Sequence, residues 1–175
     1  METMRFYGNC PFGIAVVHGG PGVPGEMAPV ARELSTARGV LEPLQTATSL
    51  EGQMSELATS LRAMGDIPVV LIGWSWGAWV GYICAAEYPA LVTKLILFGS
   101  GPFESRYATD IMDTCPVVAI HGDYDPHPAG GVIEPLSRTV KDFSFHLLAS
   151  CGHQPRAERR ARDRFFAILA RELDT

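Results

Sequence analysis

Four short runs of the chain are apolar at every position: Ile14 to Val17, Val69 to Ile72, Leu95 to Phe98 and Val117 to Ile120. A strand with one wet face alternates, so runs without alternation predict parallel strands covered on both sides. Val40 to Leu44 and Phe145 to Leu148 are weaker strands, for about six in all. Between them the period lengthens. Leu50, Met54, Leu57, Leu61 and Met64 fall at steps of four and three, one stripe of an amphipathic helix. Further helices are predicted at about Pro29 to Ala37, Trp76 to Glu87, Val132 to Lys141 and Ala157 to Leu173. Strand and helix alternating from end to end predict an α/β fold, a three-layer sandwich around a mostly parallel sheet with right-handed crossovers.

A chain of 175 residues is expected to form one domain over 1–175. With 47% apolar and 19% charged residues it has the composition of a globular protein, which excludes disorder. Its net charge of −5 repels phosphate backbones, so nucleic acid is not an expected partner. No apolar run approaches the roughly 20 residues of a membrane span. Met1 to Asn9 lacks the basic start and apolar stretch of a secretory signal, so a soluble cytoplasmic protein without a membrane partner is expected. Cys10, Cys84, Cys115 and Cys151 are far apart, with no CxxC or Cys/His cluster at ligand spacing; reduced thiols are expected, and no metal. The terminal segment carries Arg156, Arg159, Arg160, Arg162, Arg164 and Arg171, read as a solvated face over a docked apolar stripe because Glu158, Asp163, Glu172 and Asp174 dilute the charge.

In open parallel sheets ligands bind beyond the carboxyl ends of the strands, and that edge can be read directly. The strands run into His18-Gly19-Gly20-Pro21-Gly22, Gly73-Trp74-Ser75-Trp76-Gly77, His121-Gly122-Asp123-Tyr124-Asp125 and Ser150-Cys151-Gly152-His153. The second of these matches GxSxG between a buried strand and a helix, the context in which a sharp turn thrusts a serine hydroxyl into a cleft. Ser75 is therefore the candidate nucleophile. It needs a base. Among five histidines, His18 and His121 stand at strand ends where an imidazole binds a loop, His127 lies in a Pro-flanked loop and His146 within a strand. His153, after the last strand, is the candidate base. Asp125 is the candidate orienting acid, with Asp123 its rival; Glu104, Asp110 and Asp113 would serve only if the acid had migrated along the chain. The backbone N–H groups of Gly20 and Trp76 are the candidate oxyanion donors.

The HGGPG loop and the Ser-Trp-Gly elbow resemble those of the α/β-hydrolases, in particular the proline iminopeptidase branch. Gly122-Asp123-Tyr124-Asp125 is similar to the family's acid turn and Cys151-Gly152-His153 to its histidine turn. The resemblance implies Ser75 as nucleophile, His153 as base, Asp125 as acid, Gly20 and Trp76 as oxyanion donors, and neither cofactor nor metal. The chain departs from the family in two places. About a dozen residues precede Ile14, so the N-terminal antiparallel hairpin is expected to be absent. Gly101 to Thr114 is too short for a helical cap, although Phe103, Tyr107 and Met112 could roof the site beside Trp74 and Trp76. The expected function is hydrolysis of small or medium carboxylic esters through an acyl-enzyme. The alternatives are an aminopeptidase or amidase, with Glu104 nearest to hold an amine, and a binding module without turnover. The expected partner is a small ester or amide; an oligomer is not legible.

Overall fold

The uninterrupted apolar runs form the middle of a sheet because helices cover both of its faces. The computed structural model describes residues 3–20, 25–103 and 114–175. Its sheet has seven strands in the order β1 (Met4–Tyr7), β3 (Val40–Pro43), β2 (Ile14–Val17), β4 (Val69–Trp74), β5 (Val92–Phe98), β6 (Val117–Gly122) and β7 (Phe143–Leu148). Every pairing is parallel except β1 against β3. Along β4 and β5 successive side chains enter opposite cores. Leu71, Leu95 and Leu97 pack with α2 (Leu50–Met64), α3 (Trp76–Glu87) and α4 (Gly130–Thr139). Ile72, Ile96 and Phe98 pack with α1 (Ala28–Leu34) and α5 (Arg162–Leu173). Two cores with one sheet between them account for apolar residues at both phases of the strand.

The helical stripe on α2 is realised by Met54, Leu57 and Leu61, which are buried, and Ser49 caps the helix by accepting from Gly52 N at 3.1 Å. Its predicted last member, Met64, the final residue of the helix, is instead 46% exposed, one turn past the buried Leu61. Among the described residues no helix is long and apolar enough to cross a membrane.

The six expected strands are joined by a seventh. No strand is expected before Ile14, yet Met4–Tyr7 pairs antiparallel with β3. What docks it is polar as well as apolar. The Tyr7 hydroxyl donates to Glu42 Oε2 at 2.7 Å, and Arg5 lies opposite Glu42 in register. Glu42 is fully buried, and burial together with that carboxylate raises the Tyr7 phenol to about 12. Hydrophobic periodicity carries no signal for such a pair.

Strand order places the site. From β2 the chain runs outward to β3, then returns to lay β4 on the other side of β2. Connections leaving β2 and β4 diverge, which opens a crevice at their carboxyl ends. The loop at 18–20 and Ser75 stand at that crevice. The segment read as too short for a cap, with Glu104, Tyr107, Asp110, Met112 and Asp113, lies outside the described residues, as do Pro21 and Gly22. Phe103 is buried in the core against Tyr82 and Trp79.

Candidate active site

Ser75 links β4 to α3 with φ 53° and ψ −116°, a conformation costing a non-glycine residue about 1–3 kcal/mol. The flanking glycines explain how the turn closes. A Cβ on Gly73 would strike the backbone of Gly77 and sit 2.7 Å from Ala78 Cα, and one on Gly77 would strike the carbonyl oxygens of Val17 and His18. The first turn of α3 therefore lies directly on the end of β2. The Ser75 N–H donates to Phe98 O at 3.1 Å, fixing the elbow over β5.

Ser75 Oγ lies 3.0 Å from His153 Nε2, and His153 Nδ1 lies 3.0 Å from Asp125 Oδ2. An ionised carboxylate only accepts, so Nδ1 carries the proton and Nε2 is left to accept from the serine. The Asp125 side chain is 0% exposed while His153 is 25% exposed, so the acid is shielded and the base reaches the cleft. The second oxygen of Asp125 accepts from the His127 N–H at 2.9 Å. His121, also buried, donates Nε2–H to the His127 carbonyl at 2.8 Å and leaves its Nδ1 buried without a partner among the described residues. Asp123 points elsewhere: it accepts from the Cys151 N–H at 2.9 Å. That bond, with others from the Ser150 and Tyr124 amides, outweighs the desolvation that opposes it and holds the exposed Asp123 carboxyl below the ordinary aspartate value.

Side chains to which sequence reasoning gave no such role hold the histidine turn. Glu158 accepts from Gly152 N at 2.6 Å and Gln154 N at 2.9 Å, gripping the backbone on both sides of His153. The Trp74 indole N–H donates to the His153 carbonyl at 3.0 Å. Arg156, read above as part of a solvated face, is only 6% exposed: its guanidinium lies 3.6 Å over the Trp74 ring, and its Nη1 is buried without a hydrogen bond among the described residues. It precedes α5 and turns inward under the loop, where burial lowers its pKa. The signal for Glu158 was a carboxylate five residues past the histidine. For Arg156 there was none, since a stack on a distant ring has no sequence spacing.

On the other side of Ser75, His18 Nδ1–H donates to Gly19 O at 3.0 Å and its Nε2 accepts from Gln45 N at 3.3 Å. A peptide is planar and trans, so anchoring the Gly19 carbonyl toward His18 turns the Gly20 N–H to the opposite side. Gly20 has φ 49°, and a Cβ on Gly19 would meet the Trp74 ring 2.7 Å away at Cζ3. The Trp76 N–H opens α3, whose hydrogen bonds begin only with Ala78 N to Ser75 O at 3.1 Å. The Trp76 indole donates to Gln53 Oε1 at 2.6 Å, tying this end of α3 to α2. Trp74 is buried and Trp76 is half-buried. Asp125, His127 and His153 each bring one donor atom to within 4.8 Å of the others, the one such trio of His, Cys, Asp or Glu among the described residues. The cysteines are free, Cys84 and Cys151 buried and Cys10 exposed.

No protein-family model matches the sequence, and no curated protein matches it. Solved structures do. The monoacylglycerol lipase of Paleococcus ferrophilus superposes with a TM-score of 0.82 at 15% identity, over 99% of this chain and 98% of that one. An α/β-hydrolase enzyme from a sediment metagenome of the Mar Chica lagoon, Morocco, gives 0.79 at 18% identity, over 98% and 95%. A thioesterase domain from the curacin biosynthetic pathway gives 0.79 at 14%, over 98% and 94%. At these identities the likeness establishes the α/β-hydrolase fold and nothing finer.

Proposed function

We propose that the chain is a serine hydrolase that cleaves small or medium carboxylic esters through an acyl-enzyme. One observation carries the reading: Ser75, His153 and Asp125, distant in sequence, are joined by two hydrogen bonds of 3.0 Å at the crevice of the sheet. His153 Nε2 takes the Ser75 proton as Oγ attacks the ester carbonyl carbon. The oxygen that becomes negative receives the N–H groups of Gly20 and Trp76, each such donor being worth about 3–4 kcal/mol in comparable enzymes. The imidazolium, stabilised by Asp125, then protonates the departing alcohol. Water, deprotonated by the same Nε2, attacks the acyl carbon, and the imidazolium returns that proton to Ser75 Oγ as the acid departs. The cycle regenerates every group and draws on no cofactor.

The neighbours with lipase, esterase and thioesterase activity favour ester over amide substrates. An aminopeptidase would need an acid to hold the substrate amine, and its nearest candidate, Glu104, lies outside the described residues. The test is turnover of p-nitrophenyl acetate and labelling by a fluorophosphonate. We expect a burst of p-nitrophenol and labelling at Ser75, with Ser75→Ala losing the label and about 10⁴-fold or more in rate. Labelling without turnover would favour a binding module. Equal turnover in Ser75→Ala would remove the assignment.

A further inference from the structure

We propose that Asp125, His127 and His153 form a binding site for a divalent transition metal such as zinc, and that occupancy shuts the site off. Three observations converge. Among the described residues this is the one trio of potential ligands with donor atoms within 4.8 Å of one another. Two imidazoles and a carboxylate are the donors zinc takes. The His127 ring, packed edge-on to His153 with centroids 5.4 Å apart, is half-buried yet spends neither ring nitrogen on a hydrogen bond among the described residues; only its backbone is engaged, the N–H by Asp125 and the carbonyl by His121. Donors around tetrahedral zinc stand roughly 3.3 Å apart, so closing the trio from within 4.8 Å takes a contraction of at most about 1.5 Å. The net charge of −5 also favours a cation near the surface.

The consequence follows from the tautomer. In the metal-free site Nδ1 holds the proton and Nε2 accepts from Ser75. A metal on Nδ1 replaces that proton, which passes through solvent to Nε2, so the number of protons on the ring is unchanged. Nε2 then donates rather than accepts, and Ser75 keeps its own proton. Asp125, drawn to the metal, no longer orients the ring. Binding itself does not depend on the hydrolase reading; inhibition rests on it.

The test uses the full chain with Cys10→Ser, which removes the exposed thiol as a competing soft ligand. Zinc is titrated against a chromophoric chelator, in parent, His127→Asn and His127→Gln. One equivalent with micromolar affinity is expected, weakened about tenfold or more in both variants. Equal affinity in the variants, or no binding at about 0.1 mM zinc, overturns the proposal. Ester hydrolysis in the same samples, each against its own zinc-free rate, should fall with occupancy and recover on chelation, and should persist in the variants at zinc levels that silence the parent. Zinc held through His127 by a chain that never turns over ester would overturn the hydrolase reading and leave the site. Turnover undiminished by bound zinc would overturn the inhibitory step.

Discussion

At the carboxyl end of β4 the chain turns on Ser75; at the other end of the same strand Val70 lines a cavity of about 590 Å³ together with Asn9, Cys10, Ser35 and Arg38. The cavity is roomy, but among the described residues no histidine or carboxylate lines it. Arg38 is paired with Asp174, and the Cys10 thiol is free. At the Ser75 edge, by contrast, nearly every polar group has its geometry set by another: Asp125 by His127 N, His153 by Asp125, the histidine turn by Glu158 and Trp74, and the Gly19 peptide by His18. Volume arises wherever loops fail to fill the end of a sheet. Chemistry needs groups held in place before a ligand arrives, and hydrogen-bond interlocking rather than concavity distinguishes the two ends.

The two aspartates of the acid turn break or sustain this contrast most sharply. Asp125→Asn should lower ester turnover by about 10³- to 10⁴-fold, because an amide can no longer hold Nδ1–H toward itself. Asp123→Asn should keep activity within about tenfold and act on stability instead, since its bonds go to backbone amides of the histidine turn. The sign with pH follows. The Asp123 carboxyl is depressed in the folded chain, so its contribution is complete above the ordinary aspartate value of 3.8 and is lost as pH falls through the lower folded value. Acid unfolding of Asp123→Asn should therefore differ least from the parent at the most acid pH; a constant difference down to that pH would contradict the assignment. Comparable losses of turnover in both variants would erase the distinction between the acids.

A smaller effect is expected at Glu158. Glu158→Gln replaces one of two backbone grips with a donor, and kcat should drop by about 10- to 100-fold with little change in KM, as His153 loosens without leaving. A rise in KM alone would place Glu158 against substrate rather than behind the base. The smallest effect belongs to the opposite edge. Iodoacetamide at pH 8 should modify Cys10 and leave Cys84 and Cys151 intact, because burial pushes both buried thiols up to about 12. Peptide mapping reads the sites. Hydrolysis by the alkylated protein should be unchanged; its loss would join the two edges functionally.

Much of this protein was decided along the chain. Apolar runs at Val69 to Ile72 and Leu95 to Phe98 specify strands buried on both faces, and Gly73 announces a turn whose Cβ would strike Gly77 and Ala78, a constraint between near neighbours, whereas the space that Gly77 leaves is for Val17 and His18 at the end of β2. The order of Ser75, Asp125 and His153 could be read, and their candidacy with it. Tertiary structure alone decided which aspartate faces the base, since Asp123 and Asp125 differ by two residues in sequence and by entire hydrogen-bond partners in space. It also decided that Met4–Tyr7 docks through Tyr7 and Glu42, that Arg156 turns inward onto Trp74, and that the His127 ring stands against His153. Periodicity records how often a residue meets a core. It holds no record of a partner contributed by a distant strand, and polar contacts of that kind exist only once the chain has closed on itself.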